Sequence, residues 1–258
     1  RRKPEWIEHK NLAFLNKHVG SSVERADAII AVSEFTRDEL IDCYPAAKGK
    51  VEVIYHGVGE EFTAKIDDAA FQSAQKRYNL PEKYLLSVAT LEPRKNIAGL
   101  LAGFQLAREQ GLDCSLVLVG GQGWKCEQLL ADIAGKDVAD HIIWTGYVEQ
   151  NDLPLLYHGA SAFVYPSFYE GFGLPCLEAM AAGTPVICSG TSALPEVVGD
   201  TAKIVDPKKP ESLAEAMLAL CSDADLAAIL AEQAQKRAKQ FTWQKTAAQT
   251  HELYRLLM

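Results

Sequence analysis

Short apolar segments alternate with amphipathic segments along most of this chain, and this alternation constrains the fold more than any other feature of the sequence. The pattern predicts strands over 84–89, 116–119, 141–144, 162–165, 185–188 and 202–205, with helices over 97–109, 124–134, 152–158 and 175–182 between them. Strands that alternate with helices form parallel sheets with helices on both faces, and ligands bind at the carboxyl ends of the strands. The sequence therefore predicts an α/β fold with a Rossmann-like, doubly wound parallel sheet.

The residues before this pattern form a less complete unit. Strands over 28–33 and 51–55 flank a helix over 34–43, and two strands with one helix cannot close a core on their own. We therefore expect a remnant of a larger domain. The predicted divisions are a remnant over 1–57, a hinge or linker over 58–80, a Rossmann-like domain over 81–241 and a C-terminal helix over 242–258.

Composition excludes several classes of protein. The 26 Lys and Arg against 34 Asp and Glu give a net charge of −8, which argues against a nucleic-acid-binding surface over the whole molecule. No apolar run approaches the length of about 20 residues that a membrane span needs. The six cysteines show no CxxC pair and sit mostly among apolar residues, which predicts buried free thiols in a reducing cytoplasm.

Two glutamates eight positions apart mark the strongest candidate site. Glu170 lies in a loop directly after a predicted strand, and Glu178 lies in the first turns of the following helix, whose start is marked by Pro175. The helix N-terminus carries roughly half a positive charge, and the intervening glycines let backbone amides approach an anion such as a diphosphate. The amides in question belong to Gly171, Phe172, Gly173 and Leu174. A helix-capping acid with turn glycines would explain either glutamate alone, but not the combination.

A second candidate is the basic pair Arg94 and Lys95, which follows the first strand of the alternating region. Arginine can bind phosphate oxygens through two parallel hydrogen bonds, and lysine adds a compact charge. Together they can offset the charge of a diphosphate without a metal. The alternative is a solvated basic turn, with Asn96 as the N-cap of the next helix.

Other motifs weaken competing cofactor assignments. The loop Gly120-Gly121-Gln122-Gly123 has Cys126 where a dinucleotide fingerprint needs its last glycine, so a nicotinamide cofactor is not expected, and a tight turn is the simpler interpretation. The histidines have no acidic or cysteine partner at ligand spacing. We therefore expect no bound metal and no cofactor.

The spacing of Glu170 and Glu178 resembles the E-x7-E motif of glycosyltransferase family 4, and the run over 178–186 is similar to that family as well. The resemblance extends from about Val23 to the C-terminus. It implies the donor-binding, C-terminal half of a GT-B fold, with residues 1–57 from the acceptor-side domain. It also implies a retaining transferase that uses a nucleoside-diphosphate sugar without a divalent metal.

The resemblance also assigns roles to single residues. Glu170, Arg94 and Lys95 are the expected catalytic group, since the two cations stabilise the departing diphosphate while Glu170 orients the sugar. Glu178 is expected to accept hydrogen bonds from ribose hydroxyls. The expected remaining contacts to the donor are the amides over 171–174, the Val148 main chain against the base, packing by Tyr147 and a weak contact from Thr90. An ordinary core position remains the alternative for Tyr147.

The expected activity is transfer of a hexose, with mannose or glucose favoured, from a GDP- or UDP-sugar to a saccharide or lipid-linked acceptor in polysaccharide biosynthesis. The family normally carries well over a hundred residues before Val23. We therefore expect a missing N-terminal domain or partner chain, and a cytoplasmic protein that the missing domain could hold at the inner face of the membrane. The alternatives are a nucleotide-sugar-binding fragment without catalysis and, third, a GT-B sugar-nucleotide epimerase.

Overall fold

The computed structural model describes residues 3–6, 9–123 and 138–258. The predicted helix over 124–134 lies outside these residues. The strands are β1 (Ile29–Ala31), β2 (Val51–Val53), β3 (Tyr84–Val88), β4 (Ser115–Val119), β5 (Ile142–Gly146), β6 (Ala162–Tyr165), β7 (Val186–Ser189) and β8 (Lys203–Val205). The α-helices of the described residues are α1 (His9–Arg25), α2 (Glu34–Cys43), α3 (Asp68–Arg77), α4 (Ile97–Glu109), α5 (Leu153–Gly159), α6 (Leu174–Ala182), α7 (Leu194–Val198), α8 (Pro210–Ser222), α9 (Ala224–Ala238) and α10 (Trp243–Leu257).

The chain divides into two compact units. One comprises residues 1–57 with 241–258, and the other comprises residues 58–240. The C-terminal helix α10 therefore belongs with the first residues of the chain. The segment 58–80 contains a 3-10 helix over Glu60–Phe62 and helix α3, and both belong to the larger unit. That this segment acts as a hinge stays a prediction.

The larger unit contains a six-stranded sheet in the order β5-β4-β3-β6-β7-β8, and every neighbouring pair is parallel. Numbered from β3, this is the 3-2-1-4-5-6 order of the Rossmann fold. The strand order reverses between β3 and β6, which are neighbours in the sheet but not in the sequence. The prediction of a Rossmann-like parallel sheet is confirmed.

Helices cover both faces of this sheet, which explains why its strands read as continuous apolar runs. On one face, Leu85 of β3 belongs to a cluster with Phe104 of α4 and Met217 of α8, all three with no exposed surface. On the other face the core is aromatic. The ring of Tyr157 contacts those of Phe62 and Phe163, at 5.7 and 5.3 Å between centroids.

The smaller unit has one parallel pair, β1 with β2, and side-chain caps start its helices α2 and α10. Ser33 Oγ accepts a hydrogen bond from the Thr36 amide at 3.0 Å, and Thr242 Oγ1 accepts one from the Lys245 amide at 3.2 Å. Thr246 Oγ1 donates to the Tyr55 carbonyl at 2.7 Å, which ties α10 to the segment after β2.

Three of the described cysteines, Cys114, Cys176 and Cys188, are buried, whereas Cys43 and Cys221 are partly exposed, and all five are free thiols. Cys126 lies outside the described residues. Among the residues that the structure describes, no helix combines the length and apolar character needed to cross a membrane.

Candidate functional site

The predicted site residues meet at the carboxyl ends of the two central strands. Arg94 and Lys95 lie in the loop after β3, and Glu170 lies in the loop after β6, so both loops stand at the point where the strand order reverses. In open α/β sheets this point is where ligands bind. The topology therefore brings together residues that are far apart in the sequence.

Glu170 is the centre of a cluster of charges. Its Oε2 lies 2.8 Å from Arg94 Nη1, and its Oε1 lies 2.7 Å from Lys95 Nζ. Arg94 Nη2 lies 2.7 Å from Glu92 Oε1 as well. The two cations that the sequence assigned to phosphate are thus balanced by two carboxylates, and the charges of Arg94 and Lys95 are coupled directly to Glu170.

Hydroxyl groups complete the surroundings of Glu170. Ser167 Oγ and Tyr165 Oη both donate to Oε1, at 2.6 and 3.0 Å. The residue is only 8% exposed. Burial favours the neutral carboxyl, but Lys95 and Arg94 outweigh it and hold the pKa of Glu170 below its ordinary value, so the side chain is an anion at neutral pH.

Backbone contacts fix the two loops to each other. Arg94 Nη1 donates to the Tyr169 carbonyl at 2.8 Å, while the Arg94 carbonyl accepts from the Phe168 amide at 2.9 Å. The Glu170 amide donates to Ser192 Oγ at 2.9 Å. These contacts hold the charged groups in one arrangement before any ligand arrives.

Asn96 is the predicted N-cap of α4, and this prediction is confirmed, because its Oδ1 accepts from the Gly99 amide at 3.2 Å. Its Nδ2 also donates to the carbonyls of Pro166 and Pro207, at 3.1 and 2.7 Å. The residue is 5% exposed and has a left-handed backbone with φ of 56°. One buried side chain therefore starts a helix and ties three loops together.

We expect Asn96→Ala to lower the free energy of unfolding by about 2–3 kcal/mol, because it removes the cap and the hydrogen bonds to two buried carbonyls. Asn96→Gly removes the same bonds but tolerates the left-handed backbone, so we expect it to cost about 1 kcal/mol less. Urea denaturation of both variants measures the difference. Wild-type stability in Asn96→Ala would contradict the proposed role.

Glu178 lies in the second turn of α6, in less polar surroundings than Glu170. Tyr157 Oη donates to its Oε2 at 2.8 Å. Burial raises the pKa of Glu178; the Tyr157 hydrogen bond opposes this rise, and the nearby carboxylate of Glu61 adds to it. The E-x7-E pair thus combines one carboxylate held ionised by cations with one whose ionisation burial disfavours.

The loop between the two glutamates turns directly into α6. Gly173 is its N-cap, with φ of 111°, and a Cβ added there would lie 2.5 Å from Leu194 Cδ2. Glycine is needed here both for the backbone conformation and for space. Pro175 has no amide hydrogen, and the Cys176 and Leu177 amides both donate to the Gly173 carbonyl, at 3.0 and 3.2 Å, so the start of α6 presents mainly the partial positive charge of a helix N-terminus.

The other predicted contact residues differ in their exposure. Tyr147, which follows β5, is 81% exposed, so the alternative that placed it in the core is wrong; a single aromatic beside apolar residues does not reveal its orientation. Val148 and Phe172 are buried, whereas Thr90 and Gly171 are exposed. No described hydrogen bond brings Thr90, Tyr147 or Val148 into the cluster around Glu170, and their contacts to a donor stay predictions.

The Gly-rich loop after β4 packs against the loop after β3. The Leu91 amide donates to the Gly121 carbonyl at 3.0 Å, and the Gly123 amide donates to the Leu91 carbonyl at 3.1 Å. A Cβ at Gly120, where φ is 136°, would overlap the Ala89 carbonyl. A parallel bridge joins Leu91 to Gln122, so residues 121–123 run beside the loop after β3 and do not form the tight turn that the sequence favoured.

Sequence reasoning missed several residues that shape the site: Glu92, Tyr157, Tyr165, Ser167 and Glu61. Glu92 and Ser167 flank predicted site residues and lie just past strand ends, so their position was an available signal. The tyrosines read as core aromatics, and their rings are indeed buried. Only their hydroxyl groups reach the glutamates.

Comparison with known proteins identifies the family of this chain. Residues 68–237 match the model of the family described as glycosyl transferases group 1, and residues 3–62 match that of glycosyltransferase family 4. O-antigen chain mannosyltransferase B of Escherichia coli is 35% identical over 255 residues, which cover 98% of this chain and 67% of that protein. The serotype-specific mannosyltransferase WbdA of Escherichia coli is 36% identical over 241 residues, 91% of this chain and 29% of that protein.

A similar solved structure is that of HepE from Anabaena in complex with UDP-glucose. It superposes with a TM-score of 0.82 at 22% identity, over 97% of this chain and 69% of that one. This likeness shows the fold. The chain thus spans between about three tenths and seven tenths of the length of these three proteins.

Proposed function

Because this chain belongs to the family of group 1 glycosyl transferases, we propose that the loops after β3 and β6 bind a nucleoside-diphosphate sugar and serve transfer of its hexose. The observation that carries the proposal is the contact of Glu170 with both Arg94 and Lys95 at the switch point of the sheet. The proposed reaction retains the configuration at the anomeric carbon. It uses no bound divalent metal and no other cofactor.

Arg94, Lys95 and the amides over 171–174 form the proposed diphosphate site. The ammonium group of Lys95 has three N–H donors, and its described contacts to Glu170 and Tyr165 use two of them. The N-terminus of α6 adds partial positive charge from the opposite loop. A diphosphate between these groups would be neutralised as its bond to the sugar breaks, and this stabilises the transition state.

The two glutamates would divide the remaining polar groups of the donor. Glu170 accepts hydrogen bonds from hydroxyl groups of the sugar, and its negative charge stabilises the positive charge that develops at the anomeric carbon. Glu178 accepts ribose hydroxyls. Since Lys95 contacts Glu170 directly, sugar and diphosphate recognition share one rigid charge cluster.

The relatives support mannose as the transferred hexose, with glucose as the second choice, because two of them are named mannosyltransferases. The proposed donor is GDP- or UDP-linked. The proposed acceptor is a saccharide or lipid-linked saccharide in polysaccharide assembly, bound with the help of an N-terminal domain or partner chain. We place this reaction in the cytoplasm, at the inner face of the membrane where such a domain holds the chain there.

We expect Glu178→Ala to weaken binding of a nucleoside diphosphate about tenfold, because it removes one group that makes charge-assisted hydrogen bonds. Glu170→Gln should weaken the binding of a nucleotide sugar more than that of the free nucleotide.

Burial raises the pKa of Glu178, and the ionised carboxylate accepts hydrogen bonds from hydroxyl groups better than the neutral form does. The nucleotide affinity of the wild type should therefore rise as the pH rises through that pKa, and Glu178→Gln should lose this rise. Calorimetric titration with GDP, UDP and their sugars measures both effects.

Glu215→Ala, on the exposed side of α8, is the matched control and should bind like the wild type. Identical behaviour of the Glu170 and Glu178 variants would contradict the division of roles.

A transfer assay with radiolabelled GDP-mannose or UDP-glucose and a mannose-terminated acceptor tests catalysis itself. Transfer that Lys95→Ala abolishes supports the enzyme. Donor binding without transfer supports the alternative of a binding fragment. Inversion of one stereocentre of the sugar while the sugar remains attached to the nucleotide supports an epimerase.

A further inference from the structure

A cavity of about 440 Å³ lies at the end of the sheet opposite to the donor site. Lys83, Cys114 and Ser161, which directly precede β3, β4 and β6, line it from the sheet, and Cys221 in the last turn of α8 lines it from the helical layer. The proposed transfer reaction uses none of these residues. The cavity opens to solvent, since Lys83 on its rim is exposed.

The cavity brings two thiols together. Cys114 is 5% exposed and Cys221 is partly exposed, and a hydrogen bond joins their side chains. The hydrogen bond with Cys221 lowers the pKa of Cys114, against the effects of burial and of Asp113, while Ser161 assists. For the same pair the Cys221 pKa is raised, chiefly by that hydrogen bond and by burial, although Lys83 opposes the rise. One sulfur of the pair thus ionises more readily than an ordinary buried thiol.

A second thiol pair provides a comparison within the same chain. Cys176 and Cys188 are also joined by a hydrogen bond, but both have no exposed surface. Burial raises the pKa of Cys176 well above its ordinary value. The two pairs share the contact between thiols and differ in access to reagents and in acidity.

We propose that Cys114 and Cys221 are a modification site at which a small-molecule disulfide forms a reversible intramolecular disulfide bond. The Cys114 thiolate attacks one sulfur of the reagent, breaks its S–S bond and releases one small thiolate, which leaves a mixed disulfide. Cys221 then loses its proton and attacks the Cys114 sulfur, which releases the second small thiol. Two protein thiols are oxidised, and one small disulfide is reduced to two thiols.

The disulfide would join the residue before β4 to the end of α8. A bond that closes so long a loop restricts the unfolded chain, so oxidation is expected to raise the thermal midpoint of unfolding. Because the donor site lies at the other end of the strands, nucleotide affinity should stay the same. The proposal is therefore independent of the proposed transfer reaction.

The test incubates the folded 258-residue chain with oxidised glutathione, blocks the remaining thiols under native and then denaturing conditions, and maps peptides by mass spectrometry. We expect a cross-linked peptide that contains Cys114 and Cys221, lighter by two hydrogen atoms than the sum of its parts and cleaved by dithiothreitol. Cys176 and Cys188 should remain thiols. Cys221→Ala should remove the cross-link, and Cys188→Ala should retain it.

Three outcomes would overturn the proposal. These are the absence of a cross-link in the wild-type chain, glutathione that stays bound to Cys114 or Cys221 without cross-linking, and a bond from either cysteine to another cysteine. Since the decisive measurement uses the unchanged chain, the result does not depend on whether a variant folds.

Discussion

Replacement of Glu170 by alanine is expected to lower the free energy of unfolding by about 3 kcal/mol, although the proposed role of this residue is in donor binding. Glu170 is the carboxylate that Arg94 and Lys95 share, and their side chains are only 27% and 12% exposed. Its removal leaves Lys95 buried without a described carboxylate partner, whereas Arg94 keeps Glu92. The expected loss in free energy of unfolding is therefore at the lower end of the range for a broken buried ion pair.

Urea denaturation at neutral pH measures this loss. Glu92→Ala is the control, because it removes only the more exposed of the ion pairs that Arg94 makes, and we expect it to cost about 1 kcal/mol or less. Equal stability of the two variants would show that the Glu170 contacts do not contribute as described.

The same carboxylate gives a pH dependence of defined sign. The pKa of Glu170 is lower in the folded chain than its ordinary value of 4.5, so the folded state binds fewer protons in this range than the unfolded state. Its contribution to stability is complete above about pH 4.5 and is lost as the pH falls through the folded pKa. The difference in stability between wild type and Glu170→Gln should therefore shrink on acidification.

Lys95→Ala has the largest expected effect on ligand binding. We expect it to weaken nucleoside-diphosphate affinity about 100-fold, because it removes a poorly solvated cation next to a phosphate. Arg94→Lys should also weaken binding, because lysine keeps the charge but loses the planar pair of donors. Titration calorimetry measures both affinities, and circular dichroism checks that the variants are folded.

Lys83→Ala is the matched control for Lys95→Ala. Lys83 is an exposed lysine that precedes β3 at the opposite end of the strand, where a diphosphate in the proposed site cannot reach it. We expect wild-type affinity. A folded Lys95→Ala variant that binds as tightly as Lys83→Ala would contradict the assignment of the diphosphate site.

Much of the fold was predictable because the strands are buried on both faces and local signals mark the helix ends. Helix α4 begins and ends at the predicted residues, since Asn96 caps it. Helix α7 is absent from the predicted elements, because its five residues are too few for a periodic pattern. The strand predicted over 51–55 ends at Val53 in the structure, although the Ile54 amide still donates to the Ala31 carbonyl of β1 at 2.9 Å.

The members of the candidate site were predictable, but their mutual contacts were not. Each charged residue follows a strand or opens a helix, and this position is visible in the sequence. The ion pair between Arg94 and Glu170 joins loops after β3 and β6, so it depends on the strand order. The pKa of Glu178 depends first on its burial and then on Tyr157 and Glu61, which no local pattern connects to it.

The most direct test of the central claim is calorimetric titration of this chain with GDP and UDP, followed by GDP-mannose and UDP-glucose. We expect saturable binding of at least one nucleotide, with an affinity that Lys95→Ala reduces and Lys83→Ala preserves. Absence of binding by all four compounds to the folded chain would contradict the proposal of a donor site.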